Sequence, residues 1–431
     1  MKISVIGGGL AGSEAAWQVA QRGFAVDLYE MRPEKNTPAH QSSSLAELVC
    51  SNSLGAKQVT SANGLLKAEL EALGSLIIET AYMCEVPAGG ALAVDRHKFA
   101  ALVTEKISQH PRINLIRSEC TTLPEGIVII ATGPLSSPAM TEIIQKLTGS
   151  EQLFFYDAAA PIVTGDSIDY EQGFWGARYN KGSADYFNCP MTKEEYEHFW
   201  HELVNAEQAP LHEGIEDPNV FEGCIPIEIM AQRGIDTLRF GPLRPVGLLD
   251  KDGKRPYAVV QLRLENTEKT LFNLVGFQTR LKWGEQKRVF RLIPALHRAQ
   301  FVRYGVMHRN TFVNAPEILE RTYQLRNHPH ILLAGQITGV EGYVESVSSG
   351  LTAGINAVRL ANGQTPLVFP EETMIGALAK YITTAGDDFQ PMNANFGILP
   401  PLTKTVRNKA ARKQAYAERS LAYFHKDREL I

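Results

Sequence analysis

The sequence predicts an α/β fold whose parallel sheet is split in two by an inserted α+β domain. Three observations carry this reading. An apolar strand at the start of the chain runs straight into Gly7-Gly8-Gly9-Leu10-Ala11-Gly12. A second apolar strand ends on an acid, Glu30, 18 residues after Gly12. Far along the chain, a strand at Ile331–Ala334 runs into another glycine-rich turn and a helix.

The elements follow in order. Ile3, Val5 and Ile6 form a short buried strand. Residues 13–22 are helix formers with an apolar face at Ala16, Val19 and Ala20, and Gly23 stops them. Phe24–Glu30 is the second strand. Residues 31–90 read as irregular, with one helix near Gly64–Leu73. Asp95–Ser108 is helical, and Ile113–Ile116 and Ile127–Ala131 are strands, the latter ending in Ala131-Thr132-Gly133. Composition changes near residue 150, after which aromatic, turn-rich segments read as β-rich with helical insertions. After Ile331–Ala334 the glycine-rich turn extends through Gly350, and a helix follows at Thr352–Leu360. The tail from about 371 reads as helical and basic. The expected division is therefore 1–150, first part of the nucleotide-binding domain; 151–325, inserted domain; and 326–431, closing part plus tail.

Composition sets outer bounds. The 431 residues suit two or three domains, and the net charge of −4 gives no global pull toward a polyanion. The five cysteines, at 50, 84, 120, 189 and 224, show neither CxxC nor zinc-type spacing, so no metal site is expected. Their odd number, with no secretory segment and no long apolar run, points to a cytoplasmic protein with no membrane role.

Gly7–Gly12 fits GxGxxG. Gly7 permits the tight turn, Gly9 lets backbone approach a pyrophosphate, and Gly12 lets helix and strand pack closely. The helix N-terminus offers unpaired N–H groups to phosphate. A carboxylate at Glu30 suits a ribose diol. The strand ending at Gly133 and the late strand entering Ala334-Gly335 resemble the split, glutathione-reductase-type FAD-binding Rossmann fold. There the later turn, here Gly335 to Gly342, approaches the rest of the flavin. That fold usually has Asp after the late glycine, and this chain has Gln336.

Two thiols sit in loop-like surroundings, Cys50 in Leu48-Val-Cys-Ser-Asn-Ser-Leu54 and Cys224 in Phe221-Glu-Gly-Cys-Ile-Pro-Ile-Glu228. A thiol on such a loop is a nucleophile or a small buried hydrophobe. Two basic clusters also stand out. One holds Arg280, Lys282, Lys287, Arg288, Arg291, Arg298, Arg303 and Arg309; the other holds Lys404, Arg407, Lys409, Arg412, Lys413, Arg419, Lys426 and Arg428. Aromatics are interleaved in both. They read equally as phosphate-and-base contacts or as solvated helix faces.

The start of the chain, with YEMRP at 29–33, ELVCSNSLG at 47–55, VPAGGALAVDR at 86–96, FEGCIPIE at 221–228, FGPLRPVGL at 240–248 and AGQITGVEGYVESVSSG at 334–350, resembles one family along almost the whole chain. It is the bacterial folate- and FAD-dependent tRNA uracil-5-methyltransferase family, TrmFO. The resemblance implies methylation of the T-loop uridine at position 54 of tRNA. Methylenetetrahydrofolate is then the carbon donor and reduced FAD the reductant, with NADPH or NADH reducing the flavin. It implies Cys224 as the thiolate that adds to uracil, with Cys50 assisting near the flavin. It extends the cofactor set of Gly7, Gly8, Gly9, Leu10, Ala11, Gly12 and Glu30 to Arg32, Gly133, Gly335, Gln336, Gly342 and Tyr343, and places His308 on the folate pterin. The basic clusters then bind tRNA, and no obligate protein partner is implied. Two rivals are a wobble-uridine tRNA-modifying flavoenzyme, which is substantially longer, and a small-molecule flavin oxidoreductase, which leaves the basic clusters without a purpose.

Overall fold

The computed structural model describes residues 2–37, 39–149, 153–180, 183–209, 225–384, 386 and 389–426. Its central sheet has six strands in the order Gln324–Leu325, His328–Leu333, Ile127–Ile130, Ile3–Ile6, Val26–Tyr29, Ile113–Ile116. All pairings are parallel except the first, a short antiparallel hairpin. Ile3–Ile6 and Ile127–Ile130 are buried throughout, as strands covered on both faces must be. The late strand joins the early sheet in register, with Ile331 opposite Val128 and Leu333 opposite Ile130.

The helix Leu10–Gln21 crosses over from the first strand to the second. The long helix Tyr343–Ala361 packs against it. Glycine makes that approach possible: a Cβ on Gly350 would lie 2.2 Å from the Ala11 carbonyl oxygen, and one on Gly354 would lie 2.7 Å from that of Ala15. This corrects the expected extent of the late turn. It ends at Gly342, the helix begins at Tyr343 rather than Thr352, and Gly350 is a helix-packing residue.

Residues 31–90 are more ordered than expected. Ser53–Ala56, Glu85–Val86 and Ala91–Val94 form a small antiparallel sheet, and a second helix, Leu76–Met83, follows Ala62–Ala72. Strands of two to four residues are too short for alternation to show. The second helix did carry a signal in Ser75, whose hydroxyl accepts from the Ile78 N–H at 3.2 Å. Pro138–Thr148 was also unexpected, although Ser137 caps it, Pro138 opens it and Gly149 closes it at φ 68°.

A second six-stranded sheet, wholly antiparallel, has the order Phe174–Gly176, Tyr186–Met191, Ala258–Leu264, Leu271–Leu274, Ile162–Thr164, Phe301–Arg303. It surrounds its own apolar core. Leu153–Ala158 and Met307–Phe312 form a two-stranded ribbon. The tail holds two unlike helices. Met374–Thr384 buries Met374, Ile375, Leu378 and Ile382, so it is an apolar core element, and only Lys409–Lys426 is basic.

Candidate functional site

Two clefts meet at Tyr343. The first, with about 1060 Å³ of empty space, lies at the carboxyl ends of the parallel strands. Gly7, Gly9, Leu10, Ala11, Glu30, Arg32, Gly133, Gly335, Gln336 and Tyr343 line it. The second, about 1080 Å³, is lined by Cys50, Ser51, Asn63, Gly342, Glu345 and Asn393. Val49, Pro134, Leu135, Gln336 and Tyr343 belong to both.

The glycines of the first turn divide by task. Gly7 has φ 104°, and a Cβ there would strike the Ala131 carbonyl oxygen at 2.5 Å. One on Gly12 would lie 1.7 Å from the Gly7 carbonyl oxygen. One on Gly8 would meet Leu45 and Glu30. Gly9 differs: nothing lies within 4 Å of its Cβ position, which opens on the cleft at the uncapped N-terminus of Leu10–Gln21. That combination of space and unpaired N–H groups fits a pyrophosphate.

Glu30 is buried and fully engaged. Its carboxylate accepts from the Gly8 N–H (2.9 Å), the Arg32 N–H (3.0 Å) and the Arg32 guanidinium (2.9 and 3.2 Å). Burial pushes this carboxyl up, but the Arg32 hydrogen bonds and charge outweigh it and hold it below the ordinary carboxylate range. A carboxylate has about four acceptor positions. A ribose hydroxyl at Glu30 therefore competes with Arg32.

The Cys50 loop is held from several elements. The Tyr343 hydroxyl accepts from the N–H groups of Cys50 (2.8 Å) and Ser51 (3.1 Å). Arg96 donates to the Leu48 carbonyl at 3.0 Å while pairing with buried Glu265 at 2.7 Å. Arg263 donates to Asn52 Oδ1 (2.9 Å) and Ser51 Oγ (2.8 Å), and Arg303 to the Val49 carbonyl. Arg96 and Arg303 are both within electrostatic range of Cys50. Burial, then the neighbouring Arg96 charge, lowers the pKa of Arg303. Lys67 donates to the carbonyl of Leu54, a residue that lines the second cleft, at 2.7 Å, and burial lowers its pKa to about 8. Burial raises the carboxyl of its neighbour Glu345.

Comparison with known proteins settles the family. The model of the family described as "GIDA: Glucose inhibited division protein A" matches residues 2–365. A Natranaerobius thermophilus protein named methylenetetrahydrofolate–tRNA-(uracil-5-)-methyltransferase TrmFO is 61% identical over 424 residues, covering 98% of each chain. An Enterococcus faecalis protein of the same name is 59% identical over 422 residues, covering 97% of each. The chain belongs to the TrmFO family. Among solved structures, Aquifex aeolicus GidA matches with a TM-score of 0.71 at 16% identity, over 99% of this chain and 73% of that one. That likeness shows a shared GidA-type α/β fold.

The remaining expected residues fall as follows. Cys224 lies outside the described residues. His308 lies on the ribbon strand Met307–Phe312 with its backbone opposite Asp157, and its side chain is outside what the structure describes. Gln336 donates to Glu341 Oε2 at 2.5 Å, and the Gly335 N–H donates to Ser349 Oγ at 2.7 Å. Cys120 was not expected at the site but lines the first cleft, its thiol donating to the Thr122 carbonyl and its pKa raised by burial. Sequence reasoning also missed Arg96, Arg263 and Asn52. Arg96 closes the VPAGGALAVDR motif, but nothing local ties it to Cys50. Among the described residues no group of acids, histidines and cysteines could hold a metal, and no helix is long and apolar enough to cross a membrane.

Proposed function

We propose that this chain methylates carbon 5 of the T-loop uridine at position 54 in tRNA. The carbon comes from methylenetetrahydrofolate and the hydride from reduced FAD, which NADPH or NADH regenerates. The observation that carries the reading is the meeting of two clefts at Tyr343, one shaped for a dinucleotide and one lined by Cys50, in a chain that matches TrmFO proteins end to end.

In the first cleft, Gly9 leaves room for the diphosphate, the N-terminus of Leu10–Gln21 faces it, and Glu30 with Arg32 takes the ribose. With FAD bound, Gly133, Gly335, Gln336 and Tyr343 would hold the remainder of it, and Gly342 would continue that wall into the second cleft, where the uridine enters. When bound, reduced FAD supplies the hydride that turns a methylene into a methyl group. Carbon 5 of uracil is a poor nucleophile. Cys224 changes that: its thiolate forms a bond to carbon 6, and the electron pair moves to carbon 5 as an enolate, which takes the one-carbon unit. Loss of the carbon-5 proton and departure of the Cys224 thiolate restore the ring double bond. Cys50 lines the second cleft, next to Val49 and Tyr343 that both clefts share, and assists at the proton or the one-carbon unit. Arg96 and Arg303 lie within electrostatic range of Cys50. His308 stacks on the folate pterin. The products are 5-methyluridine in tRNA, tetrahydrofolate and FAD, so carbon and electrons balance.

The test is an assay of unmodified tRNA with methylenetetrahydrofolate and NADPH, with the product identified by nucleoside analysis. Cys224→Ala should keep its flavin and lose methylation. Full turnover by that variant would remove the nucleophile assignment. Absence of 5-methyluridine with the unaltered chain would overturn the reading.

A further inference from the structure

We infer that, of the two basic clusters, the C-terminal one is the surface that takes the phosphates of the RNA substrate. The inference rests on the methyltransferase reading and says where on the chain the polyanion lies.

The two clusters look alike in sequence and differ in the fold. In the 280–309 cluster four of the eight cations are already engaged. Lys282 pairs with Glu207 at 2.6 Å, and Arg288 pairs with Glu285 at 2.8 Å and also with Glu202. Arg291 donates to the Ala299 carbonyl and Arg303 to that of Val49. Glu202 and Glu207 lie on another segment, so the local sequence hides their share of the neutralisation.

The C-terminal cluster is the reverse. Residues 389–417 contain five cations, Lys404, Arg407, Lys409, Arg412 and Lys413, and no acid. The first four are exposed. Among the described residues none of the five is paired with an acid. Three of them fall in the first turns of Lys409–Lys426, which has no acid in its first turn. Cations there oppose the helix dipole, so the arrangement costs stability unless an anion joins it.

The surface is tied to the second cleft. Asn393 lines that cleft, and the Ala394 N–H donates to Glu345 at 2.9 Å. Phe396 then stacks on Tyr416 of the C-terminal helix, ring centres 5.6 Å apart, with Lys413 over the Phe396 ring. Phe396 and Asn393 thus connect the surface at 404–413 to the cleft that holds Cys50.

The experiment measures binding of an unmodified tRNA transcript across a salt series. Each phosphate contact removed should lower the slope of log affinity against log salt by roughly 1. The triple variant Arg407→Gln, Lys409→Gln, Arg412→Gln should lower it by roughly 3, with flavin content unchanged and the melting temperature no lower. Asn408, which caps the helix, is left in place. The pair Lys282→Gln, Arg288→Gln should leave the slope unchanged. An unchanged slope in the triple variant, or a fall in the pair, overturns the assignment while the methyltransferase reading stands. An unaltered chain that neither binds nor methylates the transcript overturns both.

Discussion

The hydroxyl of Tyr343 accepts hydrogen bonds from the backbone N–H of Cys50 at 2.8 Å and of Ser51 at 3.1 Å. Residue 343 opens the long helix against the parallel sheet, and residue 50 belongs to a loop 293 positions earlier. One phenol thus joins the late glycine turn to the thiol loop, at the wall shared by both clefts. Tyr343→Phe keeps the ring and removes the acceptor. Each N–H left unsatisfied costs about 1–3 kcal/mol, so the loop should open locally rather than the domain unfold. Amide hydrogen exchange at residues 50–51 should rise and turnover should fall, with flavin retained. Unchanged exchange there would show that the hydroxyl does not hold the loop.

The second prediction concerns Arg96 and Glu265, paired at 2.7 Å with both side chains buried. Removing one partner leaves the other charge without compensation, which costs about 3–5 kcal/mol. Arg96→Met should therefore lower stability by that amount in denaturant titration and also free the Leu48 carbonyl beside the thiol loop. Arg96→Met with Glu265→Leu removes both charges and should recover most of the stability without recovering activity. Activity restored along with stability would show that Arg96 matters only as a fold element.

These pairs mark the limit of what the sequence made legible. Gly7–Gly12 and Glu30 were readable because their interactions are local and fall within one strand–turn–helix–strand unit, whereas Arg32 came only from the family resemblance. The late strand was readable from its apolar run, though the following helix was started too late because Gly350 looks like a turn residue when its packing partner Ala11 is unseen. The grip on Cys50 was not readable. Arg96, Arg263, Arg303 and Tyr343 come from four separate elements, and each resembles an ordinary core or surface residue by itself. The 280–309 cluster looked unbalanced for the same reason, since Glu202 and Glu207 neutralise it from another helix and its trailing loop.

Two glycines of the first turn should fail differently. Gly12→Ala puts a methyl group 1.7 Å from the Gly7 carbonyl oxygen, an overlap the backbone cannot absorb. It should give little folded protein. A Cβ at Gly9 meets no protein atom within 4 Å and the backbone has φ −72°, so Gly9→Leu should fold with near-normal stability while its side chain enters the diphosphate position. The expected product is folded, colourless protein, read from circular dichroism and the flavin absorbance band. A yellow Gly9→Leu variant would place the diphosphate elsewhere.

The last prediction is a pH dependence. Glu69 is buried, and its carboxylate caps Met374–Thr384 through the N–H groups of Met374 (2.7 Å) and Ile375 (2.9 Å) while accepting from the Ser420 hydroxyl on the C-terminal helix. Burial outweighs these donors and pushes its pKa up to about 7, from 4.5. The folded state therefore holds this proton more tightly than the unfolded chain. Its contribution to stability is full below pH 4.5 and is lost as pH rises to about 7, after which it is constant. A shift of that size corresponds to about 3 kcal/mol. Glu69→Gln cannot titrate. The stability difference between the unaltered chain and the variant should move by about that amount between pH 4.5 and 7, in favour of the variant as pH rises. Parallel stability–pH curves for the two proteins would show that Glu69 keeps an ordinary pKa.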